Sequence, residues 1–288
     1  MNAILEARDV SFSYPGSEHE ALRGLNMHLP TGKKTAICGH NGSGKSTLFL
    51  QAVGIHKPER GAVLWNDSPI AYRPKDLKAL RQHIGLVFQD PEHQLILTTP
   101  YEDISYGLRN AGMQEDDIRK RTLSMLETLN LTPLADTPIH HLSLGQKKRV
   151  ALAGVMALEP ELLLLDEPTA YLDRISEQKL IEALDRIHAN GVTVVMATHD
   201  MNLAYAWADW MLVMDRGQCV LEGTPAEVFE RKDQLLTLGL ELPLLLEVWQ
   251  SLPQYLQNGD APPRSLQEFK QLMHQLQPSV SASAGHAR

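Results

Sequence analysis

The chain has 288 residues, enough for one large or two modest domains, because single cores stop growing near about 250–300 residues. Its 35 acidic against 27 basic residues leave a net charge of −8, which argues against a nucleic-acid partner, since binding a phosphate backbone needs basic patches that release counterions. No apolar run reaches the ~18 residues of a membrane span, the first residues form neither a basic region nor an apolar leader, and Cys38 and Cys219 are far apart and read as small buried thiols of a reducing compartment.

In chain order, residues 5–14 and 25–29 read as strands of a small N-terminal sheet, separated by the turn-rich Pro15 to Glu18. Tyr14 sits just before the next unit. Its ring could stack on a nucleotide base, or it could be an amphipathic ring in ordinary packing. Residues 34–38 form a short buried strand, and Gly39 to Thr47 (G-H-N-G-S-G-K-S-T) matches G-x-x-x-x-G-K-[ST], with residues 48–53 continuing as helix. In such a loop Gly39, His40, Asn41, Gly42, Ser43 and Gly44 turn backbone N–H groups inward around a polyphosphate, Lys45 reaches the β- and γ-phosphates, and Ser46 offers a hydroxyl to Mg²⁺.

Residues 61–66 read as a strand, 77–83 as a short helix and 84–88 as a buried strand that ends at Gln89. A polar side chain at the end of a parallel strand lies where α/β sheets bind ligands. From Pro91 to Asn130 the alternation stops; Ile118, Met125, Leu126 and Leu129 recur at helical spacing, which predicts a helical insertion. Leu95, Ile96 and Leu97, between Pro91 and Pro100, read either as an exposed groove for a partner helix or as the insertion's own core. His140 and His141 lack carboxylate or Cys company and read as surface or loop histidines. A helix is predicted over 147–158.

Leu162 to Leu165, apolar on both faces, belongs in the middle of a parallel sheet. It closes on Asp166-Glu167-Pro168. An aspartate there suits Mg²⁺ coordination and the next carboxylate is placed to polarise a water; a helix N-cap explains one acid but not an adjacent pair. A helix over 177–188, a strand over 192–198 ending at His199, and a hairpin over 210–222 follow. Beyond residue 229, the residues Leu244, Leu245, Val248, Trp249 and Leu252 mark one helix. Ser265 and Glu268 form a capping-box pattern ahead of another, with apolar Leu266, Phe269, Leu272, Met273 and Leu276. Residues 278–288, rich in Ser and Ala, are expected to be disordered.

Taken together, these motifs resemble the nucleotide-binding subunit of an ATP-binding cassette transporter over about residues 3–230. The resemblance implies an α/β fold: a P-loop ATPase core, mostly parallel with an N-terminal antiparallel sheet, plus a helical insertion subdomain at about 91–158 and, after a cassette domain of 1–230, a C-terminal helical tail over 231–277. It implies ATP and Mg²⁺ as cofactors, Tyr14 as the adenine-stacking aromatic, Gln89 as contact to Mg²⁺ and the attacking water, and Ser143, Gly145 and Gln146 as the signature. Asp166 corresponds to the Mg²⁺ aspartate, Glu167 to the general base, Asp173 to the D-loop aspartate and His199 to the switch histidine on the γ-phosphate. The wordings F-Q-D-P-E-H-Q-L, Q-K-K-R-V-A-L-A-G and G-T-P-A-E-V-F are more narrowly similar to energy-coupling-factor ATPases, and within these to the ATPase of cobalt importers. Leu144 and Tyr171 depart from that pattern, which usually has glycine at the first and a small residue at the second. The expected protein is a dimer, homo- or heteromeric, peripheral on the cytoplasmic face of the inner membrane and bound there to membrane subunits. Nickel, a vitamin or an amino acid are rival cargoes; a cassette ATPase of DNA repair would need coiled coils or basic surfaces not found here.

Overall fold

The computed structural model describes residues 2–257 and 261–275. Two long strands, β1 (Ala3–Ser13) and β2 (Glu20–Pro30), pair antiparallel, and β3 (Lys34–Cys38) leads into the Gly-rich loop and helix α1 (Lys45–Ala52). Then come β4 (Arg60–Trp65), β5 (Ser68–Pro69), α2 (Pro74–His83) and β6 (Ile84–Val87). The insertion is built from α3 (Pro100–Asn110), α4 (Glu115–Thr128) and α5 (Leu144–Met156). The chain returns through β7 (Leu162–Asp166), α6 (Arg174–Ala189), β8 (Thr193–Thr198), α7 (Met201–Trp207) and the hairpin β9 (Trp210–Asp215) and β10 (Gln218–Gly223). It ends in short helices, α8 (Pro225–Glu230), α9 (Lys232–Thr237), α10 (Leu244–Ser251), α11 (Gln254–Gln257) and α12 (Leu266–Gln275). No described helix is long and apolar enough to cross a membrane.

The strands form two sheets. One is antiparallel, in the order β2-β1-β4-β5, and the other runs β10-β9-β3-β8-β7-β6 with all neighbours from β9 to β6 parallel. Leu162, Leu163, Leu164 and Leu165 are fully buried because β7 is central and covered on both faces. Alternate residues feed two cores. Leu163 and Leu165 join the helical insertion and the C-terminal helices, while Leu162 and Leu164 join α1 and the antiparallel sheet. The hairpin turns on Arg216 and Gly217, both at positive φ (44° and 80°), which is the backbone that a two-residue turn needs to match strand twist.

Several boundaries differ from the sequence reading. β2 starts at Glu20 rather than residue 25, with register irregularities that break its alternation. α5 starts at Leu144 and α6 at Arg174, each three residues earlier than the apolar periodicity indicated, because Ser143 and Asp173 cap them. The helix read from Leu244, Leu245, Val248, Trp249 and Leu252 is present as α10; of these Trp249 is buried, together with Leu246, whereas Leu244 and Val248 are exposed. Glu268 N–H donates to Ser265 Oγ at 3.1 Å, giving half of the capping box. Leu276 and the expected disordered tail lie outside the described residues. Both cysteines are free; Cys38 is buried and Cys219 half-buried, and burial pushes both thiols up to about 12. His140 and His141 are exposed in a single helical turn.

Candidate active site

The loop after β3 turns back because Gly44 adopts φ 107°, ψ 0°, a left-handed conformation that L side chains avoid, and a Cβ there would sit 2.8 Å from the Ala21 carbonyl. Helix α1 then starts without any side-chain cap, unlike α3, α5 and α8, each of which carries a full capping box. An uncapped helix start aims free N–H groups and a positive dipole end at whatever occupies the space in front of it. That space is a cavity of about 330 Å³ lined by Tyr14, Ala21, Asn41, Gly42, Gly44, Lys45, Ser46, Thr47, Gln89, Asp166 and Glu167.

The sheet delivers the acids. β7 and β8 pair in parallel with Asp166 opposite Ala197, so the residues just past their ends, Glu167 and His199, emerge side by side. His199 Nδ1 donates to Glu167 Oε2 at 3.0 Å, and Lys45 Nζ lies 3.8 Å from Glu167 Oε1. Lys45 is buried and donates to the carbonyls of Gly39 (2.7 Å) and His40 (3.1 Å). The Tyr14 hydroxyl bonds Thr47 Oγ1 at 3.1 Å and its ring meets Phe12 and His56 edge-on, so this ring both packs and borders the cavity. Gln89, beyond the end of β6, reaches the same cavity from the neighbouring strand.

The fit to a polyphosphate and a hard cation can be judged from the buried groups. Asp166 Oδ1 and Glu167 Oε1, both on residues that line this cavity, are buried without hydrogen-bond partners, and a ligand in the cavity would satisfy them. Burial raises the Asp166 carboxyl above the ordinary range; the Ser46 hydroxyl pulls it down and the Glu167 charge pushes it further up. Among the described residues no cluster of three His, Cys, Asp or Glu could hold a metal alone, so a dication here would be shared between Asp166, Ser46 and phosphate oxygens.

Not every predicted site residue meets this cavity. Gly39, His40 and Ser43 stand behind the loop: Ser43 is buried, and His40 Nε2 donates to the Leu238 carbonyl at 2.8 Å, a contact from the C-terminal segment that the sequence did not suggest. Ser143, Gly145, Gln146 and Asp173 line none of it. Ser143 Oγ accepts from Gln146 N–H (3.3 Å) while Gln146 Oε1 accepts from Ser143 N–H (2.7 Å), closing a capping box on α5. Asp173 caps α6, accepting from Ile175 and Ser176 N–H and from Ser176 Oγ (2.7 Å), and these bonds, that from the Ser176 hydroxyl first, hold its carboxyl below the usual range. A second, apolar groove of about 410 Å³ opens between the sheet and the insertion, with Ile55 (48% exposed), Ile96 (62%) and Tyr106 among its walls. Of the apolar trio read there, only Ile96 lines it; Leu95 packs on the insertion's core.

The sequence matches the ABC transporter family over residues 22–170. The chain belongs to that family. Among the relatives of this ABC ATPase is an energy-coupling factor transporter ATP-binding protein, EcfA3 of Clostridium perfringens, 43% identical over 241 residues that cover 83% of this chain and 84% of that one. The structure of cbiO1 from Clostridium perfringens, part of the ABC transporter complex cbiONQ, superposes with a TM-score of 0.74 at 41% identity, covering 87% of this chain and all of that one. A dimeric ATP-binding cassette in a post-hydrolysis state, bound to ADP and Pi, gives 0.68 at 30% identity over 77% and 98% of the two chains. This ABC ATPase is therefore of the energy-coupling-factor type, binds ATP, and couples its hydrolysis to transport.

Proposed function

We propose that hydrolysis runs in the cavity in front of α1 with Glu167 as general base, and that it drives import of a divalent metal ion, cobalt foremost, through membrane subunits. The observation that carries the first half is the buried Glu167 carboxylate, which lies 3.8 Å from buried Lys45 on one side and accepts from the exposed His199 on the other, with Asp166 Oδ1 and Glu167 Oε1 lacking hydrogen-bond partners. Lys45 leaves its carbonyl partners for the β- and γ-phosphates, which supply a stronger charge-assisted acceptor. Glu167 Oε1, without a hydrogen-bond partner, accepts a proton from the attacking water, while the bond from His199 fixes the orientation of the carboxylate. His199, with its side chain 64% exposed, is free to contact the γ-phosphate as well. Tyr14 stacks on the base. Asp166, Ser46 and Gln89 would hold Mg²⁺, which when bound neutralises charge on the phosphate oxygens.

The signature residues act on a second copy's nucleotide. They line none of their own cavity, and a head-to-tail pair, homo- or heteromeric, brings Ser143, Gly145, Gln146 and Asp173 to the facing site. The groove at Ile96 takes a helix of the membrane subunit, which keeps the chain peripheral on the cytoplasmic face. The cargo rests on the likeness to cbiO1 and on the motif wording shared with ATPases of cobalt importers; nickel or a vitamin fits the same machinery. Glu167→Gln tests the chemistry: ATP affinity stays and turnover falls by about 10²–10⁴. Turnover at the wild-type rate would remove Glu167 from the mechanism. Cellular cobalt and nickel uptake after deletion of the gene separates the cargoes.

A further inference from the structure

Lys148 is the second lysine of the string Q-K-K-R that follows the signature. In the fold it is 3% exposed, and its Nζ donates to three carbonyls at once: Glu167 (3.2 Å), Pro168 (2.8 Å) and Ala170 (2.9 Å). An ammonium has three N–H donors, so its capacity is used completely on one turn of backbone. That turn is under strain: Glu167 at its start and Tyr171 just past its end are non-glycine residues at φ 45° and 62°. Three carbonyl dipoles converging on a point repel one another unless a cation sits between them. Lys148 is that cation. Burial pushes its ammonium down to about 8, against the upward pull of Glu167 and Asp90.

We infer that Lys148 is a positioning residue for Glu167, holding the strained turn so that the carboxylate is presented between Lys45 and His199. The inference rests on the reading of Glu167 as base. Lys148 belongs to α5, and the signature lies two to five positions upstream, from the N-cap Ser143 to Gln146. The helix that would close on a second copy's nucleotide is therefore bonded to the base of its own site, and a shift of α5 is felt at Glu167 through one hydrogen bond to its own carbonyl and two to the turn that follows it.

Met and Gln have nearly the same length, and only Gln has N–H donors, so the pair isolates hydrogen bonding from packing. In full-length protein, Lys148→Met is expected to lower kcat by at least about tenfold with the Kd for ATP, by calorimetry, within about threefold of wild type, while Lys148→Gln retains several-fold more turnover than Met. Added to Glu167→Gln, the Met change should cost no further turnover, because the group it positions is already gone. Equal turnover in Met and Gln variants, or a kcat within twofold of wild type, overturns the inference. So does loss of ATP affinity in step with kcat, the mark of general unfolding. Should Lys148→Met fail to fold, Lys148→Gln alone decides: a lowered kcat at unchanged Kd supports the role, and an unchanged kcat overturns it. If Glu167→Gln turns over normally, the base assignment fails first; if it is inactive beside a fully active Lys148→Met, only the role of Lys148 fails.

Discussion

Replacing Gly145 by alanine sets two known effects against each other. Gly145 is the second residue of α5, and an added Cβ would lie 2.8 Å from Ser176 Oγ, 2.9 Å from Ser176 Cβ and 3.7 Å from Leu172 Cδ2. Ordinary carbon contacts sit at about 3.5–4.0 Å, so α5 and the start of α6 must part by more than half an ångström. Ser176 cannot simply swing away, because its hydroxyl donates to Asp173 at 2.7 Å and its N–H to the same carboxylate at 2.9 Å. Overpacking of this kind costs about 1–3 kcal/mol. The helix propensity of alanine returns at most about 1 kcal/mol, and less in a first turn. The net expectation is a loss of about 1–2 kcal/mol, a fall in Tm of about 2–3 °C for a chain of this size, read by thermal and urea unfolding of the nucleotide-free protein. In a double-mutant cycle, Ser176→Gly removes both contacts and should cancel most of the penalty. A Gly145→Ala protein at least as stable as wild type, or a penalty that survives Ser176→Gly, would refute the packing explanation of this glycine.

Lys45→Ala removes a buried charge-assisted donor worth about 1.5–3 kcal/mol, so ATP affinity should fall by about 10- to 150-fold in calorimetry; unchanged affinity would count against the loop as the site. Ile96→Ser should leave basal ATPase and Tm nearly unchanged, since the side chain is 62% exposed, yet abolish copurification with the membrane subunits, whereas Leu95→Ser should lower stability first. The Asp173 carboxyl, lowered chiefly by the Ser176 hydroxyl, holds its proton more weakly folded than unfolded. Its stabilisation is complete above the unfolded Asp value of about 4 and is lost as pH falls through the lowered folded value. Tm measured against pH should show this acid loss in wild type and less of it in Asp173→Asn, an equally good cap without the charge.

The elements legible in the sequence were those whose burial is uniform. β7, with four leucines, and β8 are covered on both faces, so their hydrophobic runs carry the signal unaided. The helix starts of α5 and α6 were read late because apolar periodicity begins only where a helix meets the core. Their actual signals, Ser143 with Gln146 and Asp173 with Ser176, are cap patterns of polar residues. Most of the phosphate loop, Gln89, Asp166 and Glu167 line the cavity in front of α1, and they were legible as candidates because the proposed chemistry requires fixed residue types. Lys148 was not, since nothing in the string Q-K-K-R tells which lysine turns inward; that depends on where the turn after β7 lays its carbonyls. The contact of His40 with Leu238 joins residues 198 positions apart and has no local pattern at all.

The place of β3 in the sheet bears on how the chain is made. Its neighbours on both sides, β8 and β9, come from residues 193–198 and 210–215, and Gly217 N–H donates to the carbonyl of Ser43 inside the phosphate loop. A ribosome will therefore have finished the loop's own residues about 145 positions before it begins β8 and about 160 before it begins β9, the strands that hold them in the sheet. Through most of synthesis β3 and the loop behind it lack both neighbouring strands. Capacity to bind ATP should arise abruptly, as the β9–β10 hairpin clears the exit tunnel.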